Sequence, residues 1–537
     1  MYSCGTLDAK TVPPDILIDW LFRACADAAE IHETPAKPAD TEDVLAHRYL
    51  VAVMDEGATT PRLLKHAAIH LDLWLVPRSI WALARQGKSA LPSGFGCEPV
   101  TSWRREPRHD DAASLVHSLV LENFRGFGHL RISFQPDFNI LIGQNGTGKT
   151  TILDALALGL HNGLHAFHPQ FGDSFAAARP EDVRMARVDK GGITQFERQL
   201  PTRVDVEMRL CGERIQPGAV IERFGDGLGV GSGRFIAPFD YIDLISWFVQ
   251  GGFDVTLPLV AYYGSRRSFG SKPERSTSIG ETSRFAAYRD CLNPLTNLSG
   301  TRAWFRRIEL LALQEGITPP VLTASKEAIA ECLDGFDLVR YDARLDDLAA
   351  RSRSTGLALG FDQLSDGQKN VLGMVADMAY RAANLNPHLG VDAVRKTPGI
   401  VLIDEVDQHL HPAWQRRVIG DLQRAFPAVQ FIVTTHSPQV LGQSQRGNIF
   451  ILENFELLQT RPHTYGRDAN SILGEVMGVP ERPKDIDDLI RTTSQLVEEE
   501  RLDDAKAALE KLASIVGDDD HMVVRIRTLM SFMDDEA

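Results

Sequence analysis

Cysteine is scarce. There are six in 537 residues (Cys4, Cys25, Cys97, Cys211, Cys291 and Cys332), scattered and with no C-x-x-C pair. That excludes a zinc knuckle or a disulfide framework. It points to a reducing compartment in which the thiols serve as small buried apolar groups. Long apolar runs are missing too. The richest stretch, residues 244–263, is broken by Gln250, Gly251, Gly252 and Asp254. Nothing reaches the roughly 18 apolar residues of a membrane span. The first residues lack the basic-then-apolar layout of a secretion signal. The expectation is a soluble, cytoplasmic chain with no membrane contact. Positive charge is in deficit: 57 Lys and Arg against 72 Asp and Glu give a net charge of −15. A general DNA coater is excluded, because affinity for phosphates rests on a positive surface. Sustained heptads and internal repeats are absent as well. The rest is ordinary globular composition, 43 % apolar and 24 % charged, with length for about three to four domains.

What is present divides the chain. Residues 1–113 read as a helical N-terminal module without a chemical motif. Ile16, Leu17, Trp20, Leu21 and Ala24 form one stripe, and Thr60-Pro61 reads as a helix start. A first lobe is expected over 114–264, with strands around Leu119–Leu121, Leu130–Phe134, Phe138–Ile142 and Val204–Met208. A basic, mainly helical insert is expected over 265–338 and a second lobe over 339–480. That second lobe contains a possible hairpin, Val339–Leu348 with Ser354–Phe361. Its short apolar runs Ile400–Ile403 and Phe431–Val433 suit a buried parallel sheet. Residues 481–537 read as an acidic helical tail suited to docking a partner.

Four motifs carry chemistry. Gly143-Gln144-Asn145-Gly146-Thr147-Gly148-Lys149-Thr150 matches G-x-x-x-x-G-K-[ST] without departure. Its glycines let the backbone curl so that successive N–H groups face phosphate oxygens. Asn145, Gly146 and Gly148 shape that loop, Lys149 supplies a point charge, and Thr150 offers a hydroxyl to Mg²⁺. Thr151 lies in the first turn of the helix that follows. Ile400-Val401-Leu402-Ile403-Asp404-Glu405 ends a buried strand in two carboxylates. Asp404 suits the Mg²⁺ shell, and Glu405 suits polarising the attacking water. Leu364-Ser365-Asp366-Gly367-Gln368 opens a helix whose N-terminus is a further anion seat, with Ser365, Gly367 and Gln368 as candidate contacts. Thr434-Thr435-His436-Ser437 follows a strand, where His436 can read a γ-phosphate. Weaker signals are Arg125, in Asn123-Phe124-Arg125-Gly126-Phe127, and the Ala261–Arg267 segment, which sits where a Q-loop would fall but holds no Gln.

In this order the motifs resemble an α/β, ABC-type P-loop ATPase, a RecF/SMC-like head without the long coiled coil. The helical N-terminal module, helical insert and helical C-terminal tail are additions to it. That resemblance makes the Ser365 segment the signature of one subunit, closing over nucleotide held by another. It implies a homodimer sandwiching ATP and Mg²⁺, and it brings Arg125 toward the nucleotide. More specifically, residues 115–535 resemble the PtuA-like ATPases of Septu and retron anti-phage systems, through Ala261-Tyr262-Tyr263-Gly264, Asp404–Pro412, Tyr465–Leu473 and Met477–Pro483. The resemblance implies a partner HNH nuclease, PtuB-like, and in retron versions a reverse transcriptase with its DNA–RNA hybrid. Nothing here resembles an HNH or Toprim nuclease, so the chain alone is expected not to cut nucleic acid. Two other readings stand beside it: a RecF-like DNA-repair ATPase, and a scaffold whose ATP is structural.

Charge layout sharpens the partner question. Residues 266–307 carry a local balance of +6, and 481–537 one of −8. The first is the candidate nucleic-acid face, with Arg302, Arg306 and Arg307 as its test positions. The second is the candidate seat for a basic protein.

Overall fold

A computed structural model of the chain describes residues 114–164, 179–190, 193–222, 249, 254–267, 269, 283–295, 298–458 and 463–536. The helical module expected over 1–113 lies outside the described residues, as do Cys4, Cys25 and Cys97.

Strand β3, Phe138–Gly143, is apolar nearly throughout, and its first five residues are buried. The strands β9 (Leu259–Tyr263), β13 (Gly399–Ile403) and β14 (Val429–Thr434) are buried at every position. A strand covered on both faces has no reason to alternate. These four join β15 (Ile449–Glu453) and β16 (Glu456–Leu457) in a six-stranded sheet of order β16-β15-β3-β14-β13-β9. All its pairings are parallel except that of the edge strand β16.

Alternation appears where one face meets water. Strand β6 (Thr202–Leu210) buries every second residue. It pairs antiparallel with β1 (Leu115–Phe124), which pairs with β2 (Phe127–Ser133). The short strands β7 (Glu213–Ile215) and β8 (Gly218–Ile221) extend β6. Strands β4 (Met185–Lys190) and β5 (Ile193–Arg198) form a separate hairpin.

Helix α1, Lys149–Leu164, shares one apolar core with both large sheets. Its Leu153, Leu156 and Leu160 join Leu119 and Val206 of one sheet and Leu141, Ile400 and Ile432 of the other. A methyl group at Gly159 would meet Val206 Cγ2 at 2.3 Å, so glycine permits the close helix–sheet approach. Gln430 laces the two sheets together. Its buried amide donates to Val116 O at 2.9 Å and Gln135 O at 2.7 Å, and accepts from Val116 N at 2.7 Å.

Among the described residues of 265–338 the two long helices are α2 (Ser299–Glu315) and α3 (Pro320–Cys332). The expected hairpin is corrected. Residues 336–360 form a three-stranded meander of β10 (Phe336–Asp342), β11 (Asp347–Ser352) and β12 (Ala358–Gly360). The expected first strand, Val339–Leu348, contains a turn. The Asp342 carboxylate accepts from Arg344 N at 2.9 Å, and Asp346 takes φ 50°. Helix α4, Asp366–Leu385, follows. Its Asp377 pairs with Arg381 at 2.7 Å and accepts from Tyr263 Oη and Thr301 Oγ1, each at 2.8 Å. A short helix α5, Val418–Ala425, lies between β13 and β14.

Residues 464–537 make a second compact unit. It contains α6 (Ala469–Glu475), α7 (Lys484–Glu498), α8 (Leu502–Val516) and α9 (His521–Glu536). Its own core holds Ile490, Ala505, Leu512, Val523 and Ile526. Among the described residues, no helix is long and apolar enough to cross a membrane.

Candidate nucleotide site

The parallel sheet brings three strand ends to one edge: β3 into residues 143–148, β13 into Asp404-Glu405, and β14 into Thr434–His436. Carboxyl ends of parallel strands are where α/β folds place ligands. The loop after β3 turns through Gly146 at φ 82° and Gly148 at φ 100°, a backbone region that side-chain-bearing residues rarely adopt. Space beside Gly146 is open, whereas a methyl at Gly148 would strike the Phe127 ring at 2.5 Å. Asn145 and Gly146 are exposed, and Thr151 is half-buried in the first turn of α1. Lys149 folds back over the loop, donating to Gly143 O at 2.9 Å and Gln144 O at 3.0 Å. Burial lowers its pKa, and the nearby Asp404 and Glu405 carboxylates oppose that shift.

Both oxygens of Asp404 are engaged. Thr150 Oγ1 donates to one at 3.0 Å and Thr434 Oγ1 to the other at 2.6 Å. Thr434 Oγ1 also accepts from Glu405 N at 2.7 Å. The phosphate loop and the Asp-Glu pair, 254 residues apart, are thereby one cluster. Glu405 itself sits at φ 50°, a conformation that costs a non-glycine residue on the order of 1–3 kcal/mol and needs its surroundings to hold it. His436 is half-buried. Burial and then the Lys149 charge lower its pKa below 6.5, so the imidazole is neutral at pH 7. Next to it, Thr435 Oγ1 donates to Asp407 Oδ1 at 2.5 Å.

Ser365 caps α4 in a capping box. Its Oγ accepts from Gln368 N at 3.4 Å, while the Gln368 amide oxygen accepts from Ser365 N at 2.9 Å. A methyl at Gly367 would meet His409 O at 2.5 Å, and Asn370 Nδ2 donates to Gln408 O at 2.9 Å. The helix start therefore packs on residues 408–410. Among the described residues, no hydrogen bond joins Ser365 or Gln368 to residues 143–151 of the same chain.

Arg125 stands between two carboxylates. Its guanidinium pairs with Asp154 at 2.6 Å and Asp182 at 2.8 Å, which hold it in a structural clasp. Within the +6 stretch the described arginines divide: Arg266, Arg289, Arg306 and Arg307 are exposed, and three others are engaged inside the protein. Arg302 is buried against Asp347 at 2.8 Å, and Arg284 is committed to the Leu385, Val255 and Asn386 oxygens. Arg306 pairs with exposed Asp346 at 3.5 Å. Arg267 is buried as well, donating to Asp404 O at 2.6 Å and Glu405 O at 2.9 Å. Burial lowers its pKa to about 10, which leaves it charged at neutral pH. Sequence reasoning missed Arg267, Thr434 and Asn370 as site residues. Arg267 serves main-chain carbonyls, and no residue-type pattern marks those.

The loop suits a nucleotide triphosphate. Open space beside Gly146, a lysine at its base and the first N–H groups of α1 are the donor set that phosphates require. The Thr150 hydroxyl and Asp404 carboxylate are hard oxygen ligands of the kind Mg²⁺ takes.

Comparison with known proteins agrees with this geometry. A family profile described as "AAA domain, putative AbiEii toxin, Type IV TA system" matches residues 267–442, and one described as "AAA domain" matches 118–207. The chain is 26 % identical to the "Retron Ec83 probable ATPase" of Escherichia coli, over 77 % of this chain and 86 % of that protein. It is 23 % identical to the "Septu protein PtuA" of Bacillus thuringiensis, over 68 % and 85 %. Over most of its length the chain is thus similar to ATPases named for retron and Septu systems. A local match to the "Retron Vc95 probable ATPase" of Vibrio cholerae serotype O1 biovar El Tor reaches 35 % identity, but over only 29 % of this chain and 31 % of that one. The fold is α/β and of the P-loop ATPase class, with the candidate nucleotide site at the sheet edge.

Proposed function

We propose that this chain binds and slowly hydrolyses MgATP as a dimer, and that its nucleotide state controls a docked HNH nuclease in an anti-phage system of Septu or retron type. The observation that carries the reading is the Thr150–Asp404 hydrogen bond at 3.0 Å, with Glu405 next in sequence and His436 at the end of the neighbouring strand. Bound MgATP supplies the phosphoanhydride and the divalent charge. Gly146, Gly148 and the α1 N-terminus cradle phosphates, and Lys149 gives up its two loop carbonyls to reach them. Thr150 and Asp404 hold the cation. Glu405, fixed by Thr434 at its N–H, accepts a proton from the attacking water. Neutral His436 donates one hydrogen bond toward the γ-phosphate. Ser365, with Gly367 and Gln368, closes the site from a second copy, since the start of α4 packs on 408–410 through Gly367 and Asn370 rather than on its own phosphate loop.

Relatives named for retron and Septu systems support a defence role, and the resemblance to PtuA-like ATPases suggests as partners an HNH nuclease and, in a retron, a reverse transcriptase with its DNA–RNA hybrid. The 464–537 unit is the proposed docking piece. The purified chain alone is expected not to cut DNA or RNA. The test of the chemistry is Glu405→Gln. It should retain ATP and lose turnover by ~10²-fold or more if Glu405 is the general base. Wild-type turnover would remove Glu405 from that role.

A further inference from the structure

Arg267 is a buried cation beside the site with no carboxylate among its hydrogen-bond partners. Its acceptors are all neutral. Nη1 donates to Gly264 O at 3.0 Å and Asp404 O at 2.6 Å, Nη2 to Glu405 O at 2.9 Å, and Nε to Asn370 Oδ1 at 2.6 Å. Burying a charge is costly, and a neutral residue would fill the space more cheaply. What arginine alone offers is a rigid planar fork that meets several acceptors at once.

The acceptors are significant for where they lie. Two are the consecutive carbonyls of Asp404 and Glu405. Glu405 is in the left-handed region at φ 50°, and its N–H is held by Thr434. Clamping the carbonyls of both residues fixes the backbone on either side of the Glu405 Cα and so the direction of its side chain. The fourth acceptor, Asn370, is on α4, one turn after Ser365-Asp366-Gly367-Gln368. Asn370 also donates to Gln408 O at 2.9 Å, and Gln408 Nε2 returns to Ser265 O at 2.8 Å. The ring is closed: residues 264–267, the turn 404–408 and the start of α4 are one hydrogen-bonded body.

We infer that Arg267 is a positioning residue for hydrolysis, aiming Glu405 and tying that aim, through Asn370, to the helix that carries Ser365. The inference rests on Glu405 being the general base as proposed above. It assigns the place of the missing Q-loop glutamine to an arginine that acts through the base rather than on nucleotide. A displacement of the α4 start is then felt at Glu405, two hydrogen bonds away.

The experiment is a double-mutant comparison on the full-length chain. Steady-state ATP turnover and binding of a fluorescent ATP analogue are measured for wild type, Glu405→Gln, Arg267→Lys and the double variant. Lysine keeps the charge and loses the fork. Arg267→Lys should lower kcat by ~10-fold or more, with KM and analogue affinity within about threefold of wild type. The double variant should turn over at the Glu405→Gln rate, because two groups acting as one unit are not additive. Wild-type kcat in Arg267→Lys overturns the inference. So does a double variant slower than Glu405→Gln by the factor that Arg267→Lys costs alone. If Arg267→Lys fails to fold, Asn370→Ala decides by the same comparison: non-additive with Glu405→Gln supports the inference, additive overturns it. Wild-type turnover in Glu405→Gln itself would instead defeat the reading of the base, a separate and distinguishable failure.

Discussion

Asp404 has no free oxygen in this structure: one accepts from Thr150 and the other from Thr434. Lys149 is likewise occupied with its own loop carbonyls. Lys149→Ala should weaken ATP binding at least ~10-fold, the size of one charge-assisted hydrogen bond at about 1.5–3 kcal/mol, measured by titration with a fluorescent ATP analogue. His436 gives a second test. Its pKa is lowered chiefly by burial, so the folded chain takes up this proton less readily than the unfolded chain. Stability from this group is intact above pH 6.5 and is lost as pH falls from 6.5 to the folded-state value. In histidine-selective NMR, the resonance that His436→Asn removes should titrate below 6.5. At this scale the phosphate loop, Asp404-Glu405 and His436 were legible, because each is a dense pattern of residue types following an apolar strand. Arg267 was not. An arginine's letter does not say whether carboxylates, carbonyls or a ligand will meet it.

Three of the central strands were legible for the same physical reason that they are buried: apolar runs with no alternation suit a sheet covered on both faces. The 336–360 meander was misread. Val339–Leu348 carries apolar residues on both sides of its turn, and the turn is set by Asp342 capping Arg344 N, a contact visible only once the chain folds. Two substitutions probe how the elements are joined. Gly159→Ala puts a methyl against the stiff Val206 side chain and should cost about 1–3 kcal/mol through overpacking. Gln430→Leu leaves Val116 N–H, Val116 C=O and Gln135 C=O without their amide partner. It should cost at least about 2 kcal/mol, since each orphaned buried group carries a desolvation penalty. Urea unfolding of the two variants against wild type measures both. An unchanged midpoint in Gln430→Leu would mean that the amide is not what laces the sheets.

Across the whole molecule, the net charge of −15 hides its layout. The last 57 residues alone contribute −8. Within the +6 of residues 266–307, Arg267, Arg284 and Arg302 are turned to carbonyls, side-chain oxygens and a carboxylate, while Arg266, Arg289, Arg306 and Arg307 are exposed. A sequence count registers charge but not depth, so it does not separate these two sets. In the proposed dimer the ATP site is completed by a second copy, with Ser365 of one chain closing over Lys149, Thr150, Asp404 and Glu405 of the other. Mixing two inactive variants tests it. Lys149→Ala lacks a working phosphate loop but keeps its signature helix, and Ser365→Arg is the reverse. In a mixed two-fold dimer one site would be wholly intact, so ATP turnover of an equimolar mixture should recover to about a quarter of wild type. Turnover no greater than that of the two variants measured apart would contradict the shared site.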